Sequence, residues 1–163
     1  MFNFYGFRNI NNIVTLYLFK DKEIVNQKKV LIPFVEKKGL ADKPESVSSP
    51  FFSVDKEKKN EIIRHNNIDI NSFICYDALF PSFYSDKNSI TIVQSNYNQL
   101  NKGKGYEKLM MYGAILSRFS SGAGNSLFIN IQNHGGTVVM RNGWNIDNEL
   151  FIRSKNEPFI MVY

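Results

Sequence analysis

Cysteine is almost missing from this chain of 163 residues, in which Cys75 is the only one. A lone thiol excludes an internal disulfide and any cysteine-based metal site. Histidine is nearly as scarce: His65 and His134 are the only two and lie far apart in sequence. A structural zinc therefore has no ligand set, and neither a metal nor another cofactor is expected. Long apolar runs are missing as well. The longest extend over only a few residues, well short of the ~20 that a membrane-spanning helix needs. The amino terminus, Met1-Phe2-Asn3-Phe4-Tyr5-Gly6, has no basic stretch followed by a long apolar one, so it does not read as a secretory signal.

What the chain does contain is aromatic and moderately basic. Its 14 Phe and 8 Tyr favour strands and dense packing. With 43% hydrophobic and 21% charged residues it has the profile of a soluble globular protein, and its length allows one domain, 1–163, with a real core. The net charge of +5 gathers at Lys37-Lys38, Lys56 to Lys59, and Lys102 with Lys104. These lysines could meet phosphates or an anionic surface, but they read as solvated loops. Aromatics are not interleaved with arginine in a stacking pattern, so nucleic acid is not an expected partner.

Patterning gives an α+β order. Asn12 to Phe19 and Glu23 to Gln27 read as a hairpin around Lys20-Asp21-Lys22. Val30 to Phe34 reads as a short extended piece stopped by Pro33. From Val35 to Asn60, prolines, serines and lysines mark a long loop of the kind that is usually functional or mobile. Ile68 to Cys75 reads as a buried strand, and Ser89 to Gln94 and Ser126 to Asn133 as further strands. Tyr106 to Ser120 is the clearest helix, with Leu109, Tyr112 and Gly113, Leu116 and Phe119 on one face and glycines on either side. Asn142-Gly143 signals a hairpin between Thr137–Arg141 and Trp144–Ile146, and Phe159 to Tyr163 reads as a last strand.

The chemistry concentrates in two segments. Lys28 opens one that runs Lys28-Lys29-Val30-Leu31-Ile32-Pro33-Phe34-Val35-Glu36. The other, Asn71-Ser72-Phe73-Ile74-Cys75-Tyr76-Asp77, places the thiol where an apolar run turns abruptly polar. A strand end is where nucleophiles are displayed and where the next backbone N–H can serve an oxyanion. A single cysteine in an apolar strand is otherwise inert core, and a lone lysine is otherwise solvated surface. Lysine, glutamate and cysteine in this chain order point to amide-type acyl transfer through a thioester.

These segments resemble the nitrilase, or carbon–nitrogen hydrolase, superfamily, and within it the apolipoprotein N-acyltransferases. The family carries a lysine, two intervening residues and Leu-Val-Pro-Phe-Gly-Glu, which Lys28 to Glu36 resembles, with Val35 in place of the glycine. It carries Ile-Cys-Tyr-Glu, matched by Ile74-Cys75-Tyr76-Asp77 with a shorter acid. Its Thr-Asn is similar to Ser95-Asn96, and its Asn-Thr-Gly-x-Ser to Asn133-His134-Gly135-Gly136-Thr137. His134 stands at the threonine and reads as a structural histidine. The likeness keeps one register from about Gly6 to Gly143.

The resemblance implies a four-layer α-β-β-α sandwich, of which this chain holds the latter part. It implies Cys75 as acyl acceptor, Lys28 as oxyanion stabiliser, Glu36 as an accessory carboxylate, and Tyr76, Asp77 and Asn96 in support. A phospholipid would donate the acyl chain, a lipoprotein's amino-terminal cysteine would accept it, and the loop near 35–60 would be an arm beside the lipid. In the full-length family this domain stands on the outer side of the inner membrane; this chain alone reads as soluble. The family's general-base glutamate has no match, because Glu23 is the only glutamate ahead of Lys28 and lies in the hairpin. The expectation is therefore a domain that lacks an amino-terminal segment, supplied by a longer chain or by a partner. Alternative readings are a soluble amidase and a truncated domain without catalysis.

Overall fold

The computed structural model describes residues 2–7, 11–19, 22–37, 52, 54–80, 88–95, 106–122, 124–132 and 136–157. The chain divides into two compact units, Met1–Ile62 and Ile63–Tyr163. Its class is α+β.

The first unit is a three-stranded antiparallel sheet in the order β1 (Phe2–Phe7), β2 (Asn11–Phe19), β3 (Lys22–Gln27). The expected hairpin is β2 and β3, with Phe19 opposite Lys22. β1 extends it, with Phe4 opposite Val14. After β3 the chain does not form the extended piece expected at Val30 to Phe34. It turns, bridges Pro33 to Lys37, and holds Phe34 at a φ of 61°. Buried amides at the end of β3 secure the later part of the long loop. Asn26 Nδ2 donates to the Glu61 carbonyl at 2.7 Å, and Glu61 N donates back to Asn26 Oδ1 at 2.8 Å. Gln27 and Asn60 make the same reciprocal exchange, at 2.9 and 2.8 Å. Asp55 N donates to Gln27 Oε1 at 3.0 Å.

The second unit holds a mixed five-stranded sheet in the order β4 (Ile63–His65), β5 (Ile68–Ile74), β6 (Ser89–Ser95), β7 (Leu127–Gln132), β8 (Val138–Arg141). The three central strands are parallel and the two edge strands antiparallel. β4 is a hairpin partner absent from the sequence expectations. Its two-residue turn, Asn66-Asn67, has positive φ at both positions, the backbone a type I′ turn demands and asparagine tolerates. Helix α1 (Tyr106–Ser121) connects β6 to β7, as parallel neighbours require.

The expected face of α1 is not the one that packs. Leu109, Tyr112, Leu116 and Phe119 are exposed, Phe119 at 72%. The buried face is Met110, Ala114, Ser117, Arg118 and Ser121, because small and hydroxyl-bearing residues let the helix lie close to the sheet. Ser117 and Ser121 return their hydroxyls to the carbonyls of Gly113 and Ser117, four residues back. Gly122 ends the helix where an added Cβ would lie 2.9 Å from Thr91 Oγ1. Arg118, 1% exposed, donates to the carbonyls of Asn125 and Met140 and lies over the rings of Phe128 and Trp144. Burial lowers its pKa from the ordinary arginine value.

The core joins Ala78, Val93, Ala114, Phe128, Val138, Met140 and Phe151. The second arm of the expected Asn142-Gly143 hairpin shrinks to one bridge, Met140 to Ile146. Asp147 then caps helix α2 (Asn148–Asn156), accepting from Leu150 N at 3.0 Å. The strand expected at Phe159 to Tyr163 lies outside the described residues. Among the described residues no helix is long and apolar enough to cross a membrane.

Candidate active site

The predicted residues fall in both units. In the first, Lys28 follows β3 directly, and its backbone N–H extends the ladder to the Ile13 carbonyl at 2.8 Å. Its side chain is fully buried, and Nζ donates to both carboxylate oxygens of Glu36 at 2.7 Å. The turn at Ile32 to Lys37 exists around this carboxylate. Ile32 N donates to Glu36 Oε2 at 2.8 Å, while the Ile32 carbonyl accepts from Glu36 N at 2.8 Å. A strand at Val30 to Phe34 would pull Ile32 N away from the carboxylate. That is the physical reason the expected extended piece gives way, and Phe34 absorbs the cost at its positive φ.

An ammonium has three donors. Two of those on Lys28 go to Glu36, and the third has no acceptor among the described residues. A buried ion pair is a poor source of net stability, because desolvation offsets most of the Coulomb gain. A fixed, dry cation with a spare N–H is better suited to holding negative charge that appears during a reaction. Phe34 and Val35, in the same turn, are exposed at 70% and 60%.

In the second unit, Cys75 is the first residue beyond β5. It is a half-buried free thiol and opens a 3-10 turn, Cys75–Leu79. Its φ is 52°, left-handed backbone that a residue with a Cβ rarely adopts. Ile74 before it is still extended, so the chain reverses sharply at the cysteine. A strand-to-helix turn with a strained nucleophile at its apex is the geometry of a nucleophile elbow. The turn is anchored by Ala78 in the core and by buried Asp77, and Tyr76 packs edge-on against Phe80 at 5.1 Å. Asn96, with Asn133 to Gly135, lies outside the described residues.

Sequence reasoning missed the side chains beside this turn. Ile74 is opposite Gln94, so the next residues along, Cys75 and Ser95, end neighbouring strands, and Ser95 is opposite Gln132. Asn130 precedes Gln132 on the same face of β7. All three side chains are buried, yet Ser95 Oγ and both polar atoms of Asn130 and of Gln132 have no hydrogen-bond partner among the described residues. The available signal was the alternation Phe128-Ile129-Asn130-Ile131-Gln132. A usual reading sends its polar members to solvent, whereas here they are buried and Ile131 is exposed. No protein-family model and no curated protein sequence matches the chain.

Proposed function

We propose that this chain is a nitrilase-type acyl-transfer domain in which Cys75 accepts the acyl group. The observation that carries the reading is the left-handed Cys75 at the carboxyl end of β5. A cost of about 1–3 kcal/mol is retained where a backbone serves a site, and sheets of this kind bind ligands beyond the carboxyl ends of their strands. In the first half-reaction Cys75 Sγ bonds to the acyl carbon. The Tyr76 N–H, next along the chain, holds the tetrahedral oxyanion until it collapses, a role the family resemblance also gives to Lys28, and the alcohol or amine leaves with a proton. In the second, an amine or water attacks the thioester carbonyl and returns the thiol. Glu36 acts as a positioning residue that holds the Lys28 ammonium through two hydrogen bonds.

The finer reading is an apolipoprotein N-acyltransferase-like reaction, with a phospholipid as donor and the amino-terminal cysteine of a lipoprotein as acceptor. The exposed Phe34–Val35 pair beside the Lys28–Glu36 turn supports an apolar donor. A second reading, a carbon–nitrogen hydrolase of the amidase type, is favoured by the unpartnered amides of Asn130 and Gln132 on β7. With no match for the family's general base, acylation is expected to outlast turnover.

Intact-protein mass spectrometry after incubation with a phospholipid or with a small activated ester tests the proposal. The expected result is a hydroxylamine-labile adduct on the wild type and none on Cys75→Ala. An unmodified wild-type protein with both donors would instead assign the chain to a domain without acyl transfer.

A further inference from the structure

Ser95, Asn130 and Gln132 bring five polar side-chain atoms, none of them hydrogen-bonded among the described residues, to the end of the sheet where Cys75 turns. Buried amides and hydroxyls are almost always paired, and each unpaired group costs about 1–3 kcal/mol. One such atom is a local imperfection. Five on neighbouring positions of two adjacent strands form a surface made for something absent from the chain itself. Asn71 adds an unpaired Nδ2 on β5, on the same face.

The chemistry of the set restricts its ligand. None of these side chains is charged. Arg118, the buried cation among the described residues of this unit, spends Nη1 and Nη2 on the Met140 and Asn125 carbonyls and lies against two aromatic rings, which leaves only Nε without a partner. An anion would therefore be buried with buried Asp77 nearby and no cation placed to pair with it, and a hydrocarbon would leave all five atoms unpaired. Asn130 and Gln132 each offer a donor and an acceptor in one plane, and Ser95 offers both from one oxygen. A neutral group with an acceptor and a donor side by side answers that pattern. Exchanging O and N within either side chain changes nothing, because both atoms are free.

We infer that Ser95, Asn130 and Gln132 form a subsite beside Cys75 that recognises a neutral, non-reacting amide of the substrate, a carboxamide or a peptide group. This rests on the reading of Cys75 as the acyl acceptor, since the subsite serves a group bound next to that thiol. It goes beyond that reading in requiring an amide on one reactant, apart from any bond that is broken. A site built to hydrogen-bond such a group rejects analogues lacking it far more strongly than an apolar pocket rejects a missing methylene.

Alkylation of the single thiol provides the test, read by intact mass on the full chain. Iodoacetamide presents an amide next to its reacting carbon. The sulfur displaces iodide and its proton passes to buffer. Iodoacetate is the anionic isostere, and methyl methanethiosulfonate has no amide. The expected result is a rate that saturates with iodoacetamide, competition by acetamide, and no saturation with iodoacetate. Gln132→Leu and Ser95→Ala should each lower iodoacetamide efficiency by about tenfold relative to the methanethiosulfonate rate of the same variant. A rate linear in iodoacetamide and indifferent to acetamide would mean that water alone occupies the set, and would overturn the subsite while leaving the thioester reading intact. A preference for iodoacetate would overturn the neutral assignment. A thiol inert to all three reagents would overturn the subsite and the acyl-acceptor reading together.

Discussion

Around Lys28 the buried polar groups find their partners within the unit. The ammonium meets Glu36, Asn26 and Gln27 clasp the segment from Asp55 to Glu61, and none of the unpaired buried atoms among the described residues falls here. At the carboxyl ends of β5 to β7 the opposite holds. Cys75 is in strained backbone, and Ser95, Asn130 and Gln132 are buried without partners. The first corner is complete as it stands. The second carries free-energy costs that a bound group would relieve. Mutations should therefore have opposite signs in the two corners.

The largest effect is expected at the complete corner. Glu36→Ala leaves a fully buried ammonium without its counter-ion and Ile32 N without its acceptor, and should cost about 3–5 kcal/mol in urea unfolding. The double variant Lys28→Met/Glu36→Leu should recover most of that loss, because the pair together contributes little net stability. In the incomplete corner the sign reverses. Cys75→Gly should be about 1 kcal/mol more stable than Cys75→Ala, although glycine is normally the less stable of the two, because only glycine relaxes at this φ. Gln132→Leu removes two unpaired buried atoms and should raise the thermal midpoint by an amount equivalent to about 1 kcal/mol. The smallest effect lies outside both corners. Phe119→Lys on the exposed face of α1 should stay within about 0.5 kcal/mol of wild type by the same unfolding measurement.

The elements legible in the sequence were those whose own pattern decides them. Strands β2, β3, β5, β6 and β7 and helix α1 come close to their expected bounds, since alternation, apolar runs and flanking glycines agree there. What could not be read was set by contacts across the chain. Val30 to Phe34 turns because a carboxylate further along captures Ile32 N. Helix α2 hid because only Leu150 and Phe151 are buried along its length, and its start depends on the Asp147 cap. Strand β4 offered little besides Asn66-Asn67.

The candidate site divides the same way. Lys28, Glu36 and Cys75 stood out because their chemistry is local to short motifs, and the Lys28–Glu36 pair is present in the structure. Asn130 and Gln132 on β7 did not stand out. Polar residues alternating with isoleucine look like a solvent face until Asn130 and Gln132 are seen to be buried. The hydropathy pattern of α1 misled for the same reason: the helix buries its small and hydroxyl-bearing residues and leaves its larger apolar ones outside.

The central claim is that the strained turn at the end of β5 displays Cys75 as an acyl acceptor. Its most direct test is single-turnover acylation by a small activated ester, compared between the wild type and Cys75→Ala and read by intact mass. The account predicts a hydroxylamine-labile adduct on the wild type and none on the variant. A folded wild-type protein that forms no adduct, although its thiol is open to methyl methanethiosulfonate, would contradict it.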